Sequence, residues 1–545
     1  MPGSDTGGMP MTMMLPPVPP MVEQKTDKPG APLFAGYGDH HHPITTSNPQ
    51  TQAYFDQGVR MLFAFNHPEA IRSFREAARL DPACAMCWWG VAFALGPNIN
   101  QAMHADAIGP AWQAVEMARA LEPRASPEEV AWIEAAAARY ASDPPKDRAP
   151  LDEAFARAMR RLWMSYPQDL DAAVFAAEAM MDTQPWDLWS ADGTKPKGYA
   201  TDIVSSLESV LRQEPLHPGA LHLYIHAVEG SSTPERAEAA ADKLETLMPG
   251  AGHIVHMPSH IYFRVGRYAD SMTVNLRAAN TDEAYAAACR AQGYLPLGYY
   301  FHDIDVLWTS AEMAGNYSIA IDAAQRVVKA QASFPRRLQW DGPIDTALLT
   351  NLRFGKWHDV LAEPRPDSTW KLTVAMWLYA EGFAAANTQD FDRANKDRAE
   401  LAGMVARNAF ADDKPKGNAH LQMAETGLSL LDGEIARLSG QLDEAITDFR
   451  KARALEQLLP YGEPPTWHEP VSHILGAALL EAGRAADAET VYRDSLTIYR
   501  ADGWALFGLA EALTAEGKSD EASRVRKDFA RAWSLSDVRL ASSRF

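Results

Sequence analysis

A recurring turn constrains this chain more than any other feature. A glycine followed five positions later by an alanine occurs at Gly315 to Ala320, Gly440 to Ala445, Gly483 to Ala488 and Gly517 to Ala522, with looser copies at Gly266 and Gly355. Upstream, Tyr54, Gly58, Leu62 and Phe65 alternate with Ala70, Phe74 and Ala78; Leu80-Asp81-Pro82 then closes the pair and Trp88, Ala92 and Leu95 open the next. The pattern is helix, short turn, helix. Each such pair carries an apolar face that it cannot bury alone, so neighbouring pairs must stack and share a core. No stretch alternates in the manner of a strand, so the expected fold is all-α.

The layout resembles tetratricopeptide repeats. The interval from Gly483 to Gly517 is 34 residues, the usual length of that repeat, while Gly440 to Gly483 is 43 and Gly266 to Gly315 is 49, which marks enlarged units. The segment His256-Met257-Pro258-Ser259-His260-Ile261-Tyr262 is similar to one found in large bacterial tetratricopeptide proteins. The resemblance implies an α-solenoid, a right-handed superhelix of helix pairs. It covers most of residues 50–535, so the expected organisation is an extended arm at 1–48 and one superhelical domain at 49–545. Because function resides in sites and not in folds, the resemblance specifies architecture before activity.

Within that domain, residues 215–305 hold the histidines. His222, His226, His253, His256, His260 and His302 are six of the chain's 16 histidines in 81 residues, where an even spread places about two. Pro218 in a first turn and Gly230 as a stop predict a helix carrying His222 and His226 on one face, one turn apart. That helix is apolar almost all round and is therefore expected to be buried. Pro258 disfavours helical geometry at Met257, so His256 is expected just before a helix that starts near Pro258, with His260 in its first turn. Repeat spacing brings the segments together, since inner-face residues about one repeat apart become neighbours.

Imidazoles suit copper, zinc, iron or nickel, whereas magnesium and calcium take oxygen. One zinc uses three or four protein ligands, so five or six histidines are enough for two ions. Three imidazoles per copper is the ligand set of coupled dicopper centres, and the chain is similar to them in ligand type only. Asp303, beside His302, and Glu229, at i+3 from His226, are candidate catalytic carboxylates able to ligate, orient an imidazole or act as a base. The other reading is a metal-free polar core of hydrogen-bonded histidines.

Other features bound these readings. With 51 basic and 71 acidic residues the net charge is −20, which argues against nucleic acid or anionic lipid as partner. No run approaches the apolar length that a membrane span requires. Three cysteines exclude a disulfide framework, and Cys84-x-x-Cys87 in an Ala/Trp-rich helical stretch reads first as packing, with redox chemistry second. In the arm, the prolines from Pro16 to Pro20 prevent regular structure. Met9, Met11, Met13 and Met14 and the run His40, His41, His42 suit copper, the bland readings being a disordered leader and a surface turn ended by Pro43. No secretory signal is visible, so the location is expected to be cytoplasmic for the chain as it stands, or periplasmic if a signal was removed.

Loops that break the repeat rhythm carry Trp186 and Trp189, Trp340, and Trp467. They either line a substrate pocket shared with the histidines or cap enlarged repeats. Two classes of function follow. One is a copper-dependent oxidoreductase, with zinc or iron as alternative metals, acting on a small organic substrate within the superhelix. The other is a non-catalytic scaffold whose groove takes a protein partner. A zinc hydrolase, with metal-bound water as nucleophile, stands between them.

Overall fold

A computed structural model describes residues 31–289, 295–333, 341, 346–413, 417–459 and 462–545. The methionine cluster at positions 9–14 and Trp340 lie outside the described residues. Among those described there are helices and no strand, only two isolated bridges, Asn98 with Gln101 and Trp189 with Pro196. Helices run from Pro49 to Ala532, and consecutive ones pack against one another as pairs of the tetratricopeptide type. The chain divides into two compact units, Met1–Ile261 with Leu276–Asp303 and Tyr262–Asn275 with Ile304–Phe545. No helix among the described residues is long and apolar enough to cross a membrane.

The turn chemistry follows from the glycines. Gly440 and Gly483 stand at φ 81° and 71°, and Gly266, Gly315, Gly355 and Gly517 share this left-handed region. At each the next residue's N–H reaches back five positions, as Gln441 N does to the Ala436 carbonyl (2.9 Å) and Arg484 N to the Leu479 carbonyl (2.8 Å). This is the Schellman closure that glycine permits without steric cost. The paired alanines Ala320, Ala445, Ala488 and Ala522 are buried, so the second helix of each pair lies close on the first. The first pair shows what sets that spacing. A Cβ on Gly58 or Gly90 would come within 2.4 or 2.5 Å of the Phe74 ring, so the two glycines form a slot for one phenylalanine.

Two expectations change. Cys84 and Cys87 are joined in a disulfide, not merely packed. Cys84 is the extended N-cap of the helix Ala85–Ala94, which sets its Cα 5.4 Å from that of Cys87, within the ordinary bridging range. The second change concerns the arm. Residues 31–48 have no helix or strand but are docked: Tyr54 Oη donates to the Ala31 carbonyl (2.7 Å), Gly250 N to the Gly36 carbonyl (2.7 Å), and Thr45 N to Glu129 Oε1 (2.6 Å). The histidine run is not a plain surface turn, because His40 and His42 both meet Asp171.

Candidate metal centre

All six histidines of the central stretch belong to the first unit. The helix Pro218–Glu229 starts on His217, whose Nδ1 accepts from Ala220 N (3.2 Å), and stops at Gly230, so His222 and His226 occupy its middle, fully buried. His253 and His256 sit on a separate five-residue helix, Gly252–His256, and His260 on the helix Pro258–Val265. His302 and Asp303 come from the helix Leu295–Met313.

The six imidazoles form two triads. His222, His226 and His253 offer ligand nitrogens within 4.8 Å of one another, and so do His256, His260 and His302. Within the first, the Nε2 atoms of His222 and His253 are 3.1 Å apart; within the second, those of His256 and His260 are 2.8 Å apart. The triads are neighbours, with ring centroids 5.8 Å apart for His226 and His260 and 6.0 Å for His253 and His256.

Surrounding groups decide which nitrogen carries the proton. His222 Nδ1 faces the Phe63 carbonyl at 2.6 Å, and a carbonyl only accepts, so the proton lies on Nδ1 and the lone pair on Nε2. His226 Nδ1 lies 2.8 Å from one oxygen of Glu229, and His260 Nδ1 lies 2.7 Å from the other. One buried carboxylate thus lies against an imidazole of each triad, hydrogen-bonded to His226 and within ion-pair distance of His260. Ligating histidines are fixed in this way, by an acceptor on the far nitrogen. Burial, reinforced by the neighbouring imidazoles, holds His222 and His253 well below the usual histidine range, which keeps them neutral and able to ligate.

The carboxylates divide the work. Glu229 is 1% exposed and sets its two oxygens against two rings. Asp303 Oδ1 lies 3.4 Å from His256 Nδ1. Burial, together with the adjacent Asp282 carboxyl, raises Asp303 well above the ordinary carboxylate range, and burial raises Asp282 to about 7. Both carboxyls are thereby biased toward their protonated forms beside the second triad, where general acid or base chemistry could use them. Asp282 was not foreseen.

Aromatic residues close the centre. The Phe65 ring lies 4.5 Å from His222 and stacks on His226 and His253 at 5.9 and 5.5 Å. Trp186 meets His226 edge-on at 5.3 Å. Both hold left-handed backbone, φ 53° and 61°, which bulky side chains rarely adopt. Trp189 serves as an anchor, its Nε1 donating to the Ala227 carbonyl (2.8 Å). Trp467 belongs to the second unit, where it packs against Tyr379 and His468. A cavity of about 40 Å³ reaches the first triad, with Tyr37, Phe65, His253, Asp282, Tyr285 and Tyr299 in its wall.

No protein-family model and no curated protein matches the chain. Solved structures with related helical arrays include a human IFIT1 dimer with m7Gppp-AAAA, at 11% identity and TM-score 0.30, covering 91% of this chain and 92% of that one. Cut9-Hcn1 of the APC/C is similar at 13% identity and TM-score 0.29, over 88% of this chain and 76% of that one. Yeast Tom70 follows at 12% identity and TM-score 0.27, over 89% and 93%.

Proposed function

We propose that the two triads hold a pair of metal ions, copper in preference to zinc or iron, and that the chain is an oxidoreductase acting on a small organic molecule beside them. The observation that carries this reading is the gathering of six buried imidazoles into two adjacent triads, the ligand nitrogens of each lying within 4.8 Å of one another, with His222 held by an outward carbonyl on its Nδ1. Ligand chemistry narrows the metal, since six imidazoles favour copper, zinc or iron over the oxygen-seeking ions. Bound copper would supply one-electron redox chemistry and affinity for O2. The chain's own residues supply the rest: Glu229 orients His226 and His260, the Asp282–Asp303 pair holds a proton, and Phe65 and Trp186 keep bulk water from the rings.

The test is elemental analysis of protein purified without a histidine tag, with His226→Ala, His260→Ala and the exposed His358→Ala as control. The expected result is bound copper in the native chain and in His358→Ala, with loss of metal and of any turnover in the two central variants while circular dichroism stays helical. Zinc in place of copper redirects the reading to a hydrolase using metal-bound water. If the central variants differ from the native chain only in melting temperature, the histidines are core residues, and a scaffold that binds a protein partner is the better account.

A further inference from the structure

The cavity beside the first triad is small for the chemistry proposed. Its 40 Å³ holds about three water molecules, whereas pockets for organic ligands run to roughly 300 Å³ or more. Part of its wall is the arm. Tyr37 is 5% exposed, and Phe34 packs against both Tyr37 and Tyr285, at 5.9 and 5.8 Å.

Downstream, three imidazoles meet one carboxylate. Asp171, in the first turn of the helix Leu170–Asp182, has His42 Nδ1 at 2.7 Å, His217 Nε2 at 3.0 Å and His40 Nε2 at 3.1 Å. His41 Nδ1 adds a contact to Asp56 at 2.8 Å. This cluster has metal-ligand composition, but the tautomer of His217 opposes metal binding. His217 Nδ1 accepts the Ala220 N–H, so Nε2 carries the proton and donates it to Asp171; an Nε2 in that state has no lone pair for an ion. The cluster is a hydrogen-bonded fastening.

Resting on the reading of the triads as a reaction centre, we propose that residues 31–42 are a strap across the cavity. The convergence of His40, His42 and His217 on Asp171 holds it shut, and Tyr37 sets the size of molecule that reaches the centre. Phe63 links the two regions, its ring packing on His40 and His217 while its carbonyl holds His222. Opening then exchanges arm contacts for substrate contacts without disturbing the helices that carry the triads.

The test uses metal-free full-length protein, so that it reads the strap whatever the triads bind. Ala64, buried in the cavity wall, is changed to Cys, and its modification by methyl methanethiosulfonate is followed by mass spectrometry of the peptide carrying residue 64. Slow labelling is expected in Ala64→Cys alone. Adding Asp171→Asn should accelerate it by at least about tenfold, the factor that corresponds to losing one charge-assisted hydrogen bond. Adding Tyr37→Ala should accelerate it with the fastening intact, and this second variant decides the matter if Asp171→Asn fails to fold. Unchanged labelling in both folded double variants, or in Tyr37→Ala alone, overturns the strap. Loss of metal binding in a separate measurement would sink the metal reading and leave these rates as they are.

Discussion

Replacing Glu229 by glutamine separates an oriented metal centre from a packed polar core. In the native chain the two oxygens of this carboxylate face two imidazole Nδ1 atoms, His226 at 2.8 Å and His260 at 2.7 Å, and each ring belongs to a different triad. Glutamine keeps one acceptor oxygen and puts an NH2 where the other was. The ring opposite the NH2 then faces donor against donor. It must move its proton to Nε2, which removes the ligating lone pair, or rotate out of place. Loss of an outer acceptor typically lowers metal affinity 10- to 100-fold, or about 1.4–2.7 kcal/mol. Only one triad should suffer, because the amide oxygen still serves the other. Glu229→Gln is therefore expected to bind one ion as the native chain does and a second more weakly by that factor, while Glu229→Ala weakens both. Competition titration against a chelator, with metal quantified per untagged chain, resolves the two steps. Two unaltered sites in Glu229→Gln would refute the bridging role, and a change confined to melting temperature would refute the metal centre.

Three further outcomes follow from particular contacts. Phe74→Ala should cost about 3–5 kcal/mol in chemical denaturation, since the slot between Gly58 and Gly90 cannot refill around alanine. Phe65→Gly should leave the first turn formed, because glycine takes the left-handed backbone freely, yet weaken metal binding by uncovering His222 and His253; intact helicity with unchanged affinity would show that the ring is only filler. The strap should release as pH rises. Burial pushes His40 and His42 down, but their hydrogen bonds and charge interactions with Asp171 outweigh it, so both lie above the ordinary 6.5; His40 also faces Glu214 and His42, and His42 faces Asp169 and Asp56. A raised imidazole stabilises the docked arm fully below 6.5 and loses that contribution as pH climbs through the raised value, while Asp171, held well below 3.8 by its three imidazoles against the cost of its burial, stays charged throughout. Proteolysis of residues 31–42, normalised to an unstructured peptide, should be faster at about pH 9 than at about pH 6; equal rates would count against the fastening.

The sequence discloses these features unevenly, and the reason is how far each depends on local chemistry. The turn glycines are legible because a left-handed residue has one cheap solution, and the helix Pro218–Glu229 because proline and glycine mark its ends. The gathering of six histidines is legible from spacing, but their division into two triads is not. His253 and His256 are three residues apart on one short helix, yet the first joins His222 and the second joins His260, a choice made by packing partners. Asp282 reads as a solvated residue beside Thr281 and Glu283, and Asp171 as an ordinary first-turn acid; only the folded chain removes each from water and supplies its partners. Phe65 left one trace. It stands at the turn position that six later turns give to glycine and two give to Gln389 and Asn408, with Asn66 N reaching back to the Met61 carbonyl in the same closure. A phenylalanine there carries backbone strain on the order of 1–3 kcal/mol that glycine would avoid. At Phe65 the ring lies against three imidazoles, which sets this turn apart from the others.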